Sequence, residues 1–370
     1  MRTVQIASDS ASEFNSSYWV GTIPAGALNR AGHPSQIISV KRWLSDDPTM
    51  RRICASADLI IVQRVAIQEG MERIKYWRGL GKGVAISVDD DYQNIRVDNA
   101  AFKYWGKGEV EVGHPSGVSY SVTLPKHPLQ QLFEAFSISA GISPGKLLVE
   151  DWKRYGPMFY VPNYVDSQRY FNTPPALKDP DWITILYGSS MSHVPSYEES
   201  GIEPALEAVF RKRKNVRFIL CGDERIHKRL PIPADRKIYQ RYVRHNEWPR
   251  IFKMADITVS PLARSYDHKR SWIKWVESGL CEIPMIATRS RIYEEWEQAG
   301  FGLWVSNGVF DNVSFEDRAK EWEEKLLEMI DTLPFYQAQM KQAREFTFEL
   351  CDVDRHVPDI LSQYQKIIDL

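Results

Sequence analysis

Arg270, Lys274 and Glu277 stand at helical spacing inside SYDHKRSWIKWVESGLCEIPMIA, residues 265–287. At about 100° per residue the three share one exposed stripe, while Ile273, Val276 and Leu280 share the face a sheet would cover. Two cations and a carboxylate at the amino end of a helix suit an anion beside a diol. A helix start presents unpaired N–H groups and partial positive charge. Arg270 and Lys274 add full charges, and a carboxylate accepts from two hydroxyls. A diphosphate next to a ribose has that chemistry. The competing reading is a solvated face with a Lys274–Glu277 pair worth about 0.3 kcal/mol.

SVDDDYQN is the second polar run, with Asp89, Asp90 and Asp91 after an apolar stretch. The Asp89–x–Asp91 spacing could hold a divalent ion through hard oxygen ligands. Asp89 and Asp90 could equally orient or deprotonate a hydroxyl, and any one of the three could simply cap a turn. A further polar loop, SDSASEFNSSYW, offers Ser16, Ser17 and Tyr18 ahead of a helix ending near Gly32. Cys54, Cys221, Cys281 and Cys351 are scattered without ligand-like spacing, which implies no structural zinc and a reducing compartment. His114, His127, His227 and His356 do not cluster with acids and read as surface or core residues.

Those residues need a scaffold. TVQIA (3–7), SQIISV (35–40), DLIIVQR (58–64), GVAISV (83–88) and FSISA (136–140) read as strands, separated by segments such as MERIKYWRGLG with helical spacing and a glycine stop. ISPGKLLVEDWKRYG predicts a helix with Ser143 as N-cap and Pro144 in its first turn. MFYVPNYVD (158–166) reads as a strand stopped by proline, and 166–181 as a polar linker. The alternation restarts with ITILYG (183–188), a helix over 202–213, VRFILCG (216–222), KIYQRYV (237–243), the helix NEWPRIFKMA and DITVSPL (256–262). From about Ser314 the chain is helical. Val/Ile runs alternating with helices imply parallel sheets covered on both faces, with ligands beyond the carboxyl ends of the strands. Functional side chains are therefore expected in the turns 8–18, 89–91, 188–193, 222–224, 242–244 and 264–271.

The chain has 370 residues, enough for two cores. Hydrophobic content of 43% and charged content of 26% are those of a globular protein. A net charge of −1 gives no excess for nucleic acid or an anionic membrane. An acceptor within DNA would need a local basic face, for which Arg51, Arg52, Lys75, Arg78 and Lys82 are the candidates. No window comes near the roughly 18 apolar residues of a membrane span, and no signal-peptide h-region is seen, so the expected location is cytoplasmic. Twelve tryptophans are either stacking surfaces for sugars or ordinary core residues. No G-x-G-x-x-G follows a predicted strand, which argues against an NAD-type site.

The stretch Tyr266, Asp267, Arg270, Ser271, Ile273, Lys274, Glu277, followed by EIPMIAT, resembles the nucleotide-sugar site of GT-B glycosyltransferases, in particular retaining enzymes of family 4. VPNYVD resembles the PN–x–(V/I)–D join between their domains. YGSSMSH resembles their Gly–Ser–x–x–x–His loop, and RYVRHNEWPRIFKMADITVSPL the segment that holds the base. The resemblance covers about 160–290 strongly and the first half in outline. It implies an α/β fold of two Rossmann-like domains facing each other across a cleft, with the C-terminal helix returning to the first. The expected division is 1–165 plus about 350–370 for the acceptor, and 166–349 for the nucleotide sugar.

The resemblance further implies retaining, metal-independent transfer from a nucleoside-diphosphate sugar to a hydroxyl acceptor: a glycan, a lipid-linked glycan, a small molecule or a modified nucleobase. No cofactor is required, and the chain would be a monomer or homodimer. Donor contacts fall to Gly188, Ser189, Ser190, His193, Tyr242, Val243, Arg270, Ser271, Lys274 and Glu277, the last gripping the ribose. Asp89, Asp90, Arg270 and Lys274 would carry the chemistry, and Ser16, Ser17, Tyr18 and Asp91 would meet the acceptor. The chain departs from the pattern at Lys269, where relatives commonly carry a Glu that touches the donor sugar, and at Ser189 and His193, which replace a basic pair. Alternatives are a non-catalytic nucleotide-sugar or glycan-binding module, and a metal-dependent GT-A-like transferase using Asp89 and Asp91.

Overall fold

The computed structural model describes every residue except 9–15, 46, 65, 100 and 114–118. His114 and most of the 8–18 turn therefore lie outside the described residues. The chain forms two compact units. The first comprises Met1–Tyr164, Lys269–Ser271 and Val353–Leu370; the second comprises Val165–His268 and Trp272–Asp352.

In the first unit the strands are β1 (Thr3–Ala7), β2 (Ser35–Ser39), β3 (Leu59–Gln63), β4 (Gly83–Ser87), the hairpin β5 (Glu109–Gly113) and β6 (Ser119–Thr123), β7 (Ala140–Ser143) and β8 (Met158–Tyr160). Six of them make a parallel sheet in the order β2-β1-β3-β4-β7-β8. β1, β3 and β4 are buried along their whole length, as expected of near-continuous Val/Ile runs covered on both faces. The segment 136–138 belongs to the helix Pro128–Ile138, not to a strand. His127 caps that helix, and its Leu132, Ala135 and Phe136 face the core at helical spacing. Ser143 ends β7 and is not an N-cap; its Oγ accepts from Gly145 N at 3.2 Å, and the helix Lys146–Trp152 starts after Gly145. The C-terminal helix Val357–Ile368 belongs to this unit, where Gln5 Nε2 donates to the Tyr364 hydroxyl at 3.4 Å.

The second unit contains β9 (Ile183–Ser189), β10 (Val216–Gly222), β11 (Lys237–Gln240), β12 (Ile257–Ser260), β13 (Met285–Thr288) and β14 (Leu303–Val305). They form a parallel sheet in the order β11-β10-β9-β12-β13-β14. β11 stops at Gln240, short of the expected 243. The region 166–181 is not all linker, since it holds the helix Gln168–Phe171 with Tyr170 buried. One buried cation fastens the far edge of the sheet. Arg236 donates to the carbonyls of Val216, Phe210 and Arg213 and lies over the Phe210 ring at 4.4 Å. Trp43, Trp152, Trp275, Trp296 and Trp322 are fully buried, so these five tryptophans are core residues. Among the described residues, no helix is long and apolar enough to cross a membrane.

Candidate functional site

In the second sheet the connections run outward in both directions from β9, which makes the carboxyl ends of β9 and β12 the switch point where ligands bind in open parallel sheets. β9 ends in Gly188 and Ser189. The helix Ile273–Cys281 packs beside it with Val276 and Leu280 buried. From its first turn Lys274 Nζ donates to the Gly188 carbonyl at 2.6 Å and lies 5.0 Å from the centre of the Tyr187 ring. That fixes an ammonium at the strand end.

Glu277 follows one turn later and is 5% exposed, so it is no member of a solvated stripe. Burial pushes its pKa up to about 7, against the lowering effect of hydrogen bonds from Trp248 and Tyr170 and of the Lys274 and Arg169 charges. Trp248 also covers the strand end, its ring within 2.8 Å of where a Cβ on Gly188 would stand. The loop after β9 turns on serines: Ser189 Oγ donates to Ser190 O at 3.1 Å, and Ser190 Oγ meets Ser192 Oγ at 2.8 Å. His193 is half-buried and accepts through its carbonyl from the Tyr187 hydroxyl at 3.3 Å. Tyr242 lies beyond β11, largely exposed, with its ring against Gly222; Val243 is half-buried beside it in the chain.

The expected helix start near residue 270 is corrected. The helix begins at Ile273, after a 3-10 turn Asp267–Lys269, so Arg270 and Ser271 lie outside it. Both belong to the first unit, where Arg270 is 8% exposed with Nε 3.7 Å from Asp90 Oδ1, and Ser271 Oγ accepts from Asn163 Nδ2 at 3.0 Å. Arg270 is thus not on an exposed stripe with Lys274. The preceding turn is shaped by Asp267, which accepts from Ser196 Oγ at 2.7 Å and from the backbone N–H groups of Ala263 and Arg264. His268 is fully buried against Ser290 and Asn307, and burial lowers its pKa to about 4, which keeps it neutral.

The aspartates after β4 take three different partners. Asp89 accepts from Arg64 and from the Tyr92 hydroxyl at 2.9 Å. Burial works to raise its pKa, but the Arg64 charge and the bonds from Arg64, Ser16 and Tyr92 prevail and hold it below the usual carboxylate value. Asp89, expected to orient or deprotonate an acceptor hydroxyl, is thus held in an ion pair with Arg64. Asp91, expected to meet the acceptor, is fully buried and accepts from Lys269 Nζ at 2.7 Å and Asn94 Nδ2 at 2.7 Å. Asp90 keeps 30% of its side chain exposed and is the member of the run open to solvent. Asp89 and Asp91 bind different cations, and no cluster of three or more metal-ligating side chains occurs among the described residues. Ser17 is buried, its Oγ donating to Gln63 Oε1 at 2.5 Å, and Ser16 Oγ accepts from Gln63 Nε2 at 3.2 Å. These two serines brace the end of β3. Tyr18 starts the short π-helix Tyr18–Thr22 with its ring edge-on to Trp19.

Sequence reasoning missed Trp248, Tyr170, Tyr187 and Arg64. The first three sat inside apolar or linker patterns; Arg64 sat at the end of a strand run. Only its φ of +54°, rare for a side-chain-bearing residue, marks it as special, and that is a property of the folded backbone.

No protein-family model matches the chain, and no curated protein matches its sequence. Solved structures do. HepE from Anabaena, solved with UDP and glucose, is 13% identical with a TM-score of 0.61, over 98% of this chain and 99% of that one. The fold is GT-B. Sucrose-phosphate synthase from Thermosynechococcus elongatus gives 12% identity and a TM-score of 0.61, over 100% of this chain and 99% of that one. WaaG, a glycosyltransferase involved in lipopolysaccharide biosynthesis, gives 12% and 0.59 over the same shares. The likeness to GT-B chains therefore runs through both units, with each parallel sheet part of it.

Proposed function

We propose that this GT-B chain is a glycosyltransferase that moves a sugar from a nucleoside-diphosphate sugar to a hydroxyl acceptor with retention of anomeric configuration. The observation that carries this reading is Lys274, fixed on the Gly188 carbonyl at the switch point, with Glu277 one turn behind it. In the proposed complex Lys274 and the N–H groups of 188–190 meet the diphosphate, with His193 assisting. Glu277 accepts from the ribose hydroxyls, and Tyr242 and Val243 lie against the base. Arg270 is proposed as a further anion contact, and Asp90 is the carboxylate proposed to orient the acceptor hydroxyl.

The bond from the anomeric carbon to the diphosphate oxygen breaks, and the acceptor oxygen bonds to that carbon on the same face. The acceptor proton passes to the departing diphosphate, so no strong fixed base is required. Negative charge grows on the leaving oxygen, and prepositioned cations and N–H donors stabilise it more than they stabilise the bound donor. The second unit is proposed to hold the nucleotide sugar and the first the acceptor. The reaction is proposed to run without a divalent ion. UDP-glucose is the first donor to try, since HepE has been solved in complex with it.

Thermal shift against a panel of nucleoside-diphosphate sugars, followed by measurement of nucleoside-diphosphate release with and without chelator, tests the reading. A stabilising shift, with release that survives chelation, is expected. Stabilisation by no donor would overturn it; binding without turnover on any acceptor would leave a nucleotide-sugar-binding module instead.

A further inference from the structure

Each residue of the strap Lys269–Ser271 is held by a different group of the first unit. Lys269 Nζ lies 2.7 Å from Asp91 Oδ2 and 2.7 Å from Asp151 Oδ2. The Lys269 carbonyl oxygen passes so close to Gly145 that a Cβ there would come within 2.1 Å of it. Arg270 lies beside Asp90, and Ser271 is bonded by Asn163. The two carboxylates on Lys269 come from separate elements, the turn after β4 and the helix Lys146–Trp152. Burying an ammonium is costly unless it is paired. Two carboxylates and a glycine that clears the backbone thus hold these three residues to the first unit.

We propose that Lys269 is a positioning residue: its ammonium moors the strap on Asp91 and Asp151 and so holds Arg270 beside Asp90 as a prebuilt anion contact. The mooring rests on this geometry; the use of Arg270 rests on the proposed transfer reaction. A guanidinium ordered before the ligand arrives loses less side-chain freedom on binding than one that must be recruited. Lys269 would then act on the reaction only through Arg270.

Hydrogen exchange on the intact chain, read in peptides spanning 264–272, tests the mooring without any substrate. Lys269→Met and Asp151→Asn are each expected to speed exchange there at least tenfold, with little change elsewhere. Unchanged exchange in both would overturn the mooring. Asp151→Asn keeps the test open should Lys269→Met fail to fold, because that carboxylate is partly exposed.

Nucleoside-diphosphate release, measured with whichever donor gives the largest wild-type thermal shift, then tests the positioning. Lys269→Met and Arg270→Ala are each expected to lower kcat at least tenfold, and the double variant no more than twofold below Arg270→Ala. Losses that multiply would mean that Lys269 does not act through Arg270. If no donor shifts the wild type, the transfer reaction fails as a reading and takes the anion contact with it, while the exchange result still decides the mooring.

Discussion

The Arg64 guanidinium closes side-on upon the Asp89 carboxylate, Nε to Oδ1 at 2.8 Å and a terminal nitrogen to Oδ2, at the carboxyl ends of β3 and β4. Arg64 makes this pair from a left-handed backbone conformation, φ +54°, that a side chain ordinarily avoids. Asp89→Asn leaves a largely buried cation without its counter-charge and is expected to cost about 3 kcal/mol in urea unfolding, whereas Arg64→Met/Asp89→Leu should recover much of that loss. The pair also has a pH signature. The Asp89 pKa is depressed on folding, so its contribution is full above the ordinary carboxylate value and lost as pH falls below that value toward the depressed one. Wild-type stability at neutral pH in Asp89→Asn would count against the pair.

Glu277 titrates in the opposite sense. Its folded pKa of about 7 stands above the ordinary 4.5. The folded state therefore keeps a proton that the unfolded chain releases, and stability declines as pH rises through that interval. Glu277→Gln cannot titrate. Its melting temperature is expected to gain on wild type progressively between pH 4.5 and 7 and to stay level above. Despite equal or greater stability at neutral pH, it should lose the donor-induced shift, since an amide accepts only weakly from a ribose diol.

Lys274→Met keeps much of the aliphatic stem that packs over Tyr187 but removes the ammonium at Gly188. Losing a desolvated charge opposite an anion is expected to weaken nucleoside-diphosphate binding by about 2 kcal/mol or more. Calorimetric titration with UDP decides it; affinity within twofold of wild type would remove Lys274 from the phosphate site.

Arg236 has a structural task that needs no ligand. Arg236→Ala strands the buried carbonyls of Phe210, Arg213 and Val216 together and is expected to destabilise the second unit by about 3 kcal/mol. Circular dichroism in a denaturant series gives the number. Lys substitution should rescue little, because one ammonium cannot reproduce the planar fork.

Gly222→Ala tests the end of β10. The residue sits at φ +122°, and a Cβ would come within 1.8 Å of the Ser189 carbonyl oxygen. The substitution must push the β9 loop aside, so both thermal stability and donor binding are expected to fall together.

The architecture was readable because parallel strands buried on both faces are continuous Val/Ile runs, and helical periods such as that of Gln68–Gly79 separate them. Lys274 and Glu277 were readable because a helical period places them one turn apart. The same period misled at Arg270. Extrapolated backwards through Trp272, it extended a helix that begins at Ile273, because the strap's partners act at long range. Lys269 meets Asp91 across 178 positions and Asp151 across 118, and no local pattern encodes such a pairing. The aspartate run shows the same limit. Composition marked 89–91 as polar, yet only the fold decides that Arg64 takes one, Lys269 another, and that the middle one keeps its exposure.

The first unit is assembled from three separated stretches of chain, one of them only three residues long. A ribosome that has delivered residue 164 has supplied every strand of that sheet but neither the strap nor the helix Val357–Ile368. The apolar ground awaiting that helix stays bare until translation is nearly past residue 368. A gene cut after residue 164 is therefore expected to yield sticky, chaperone-dependent product, and circular permutation should be tolerated only where it leaves those late pieces free to come home.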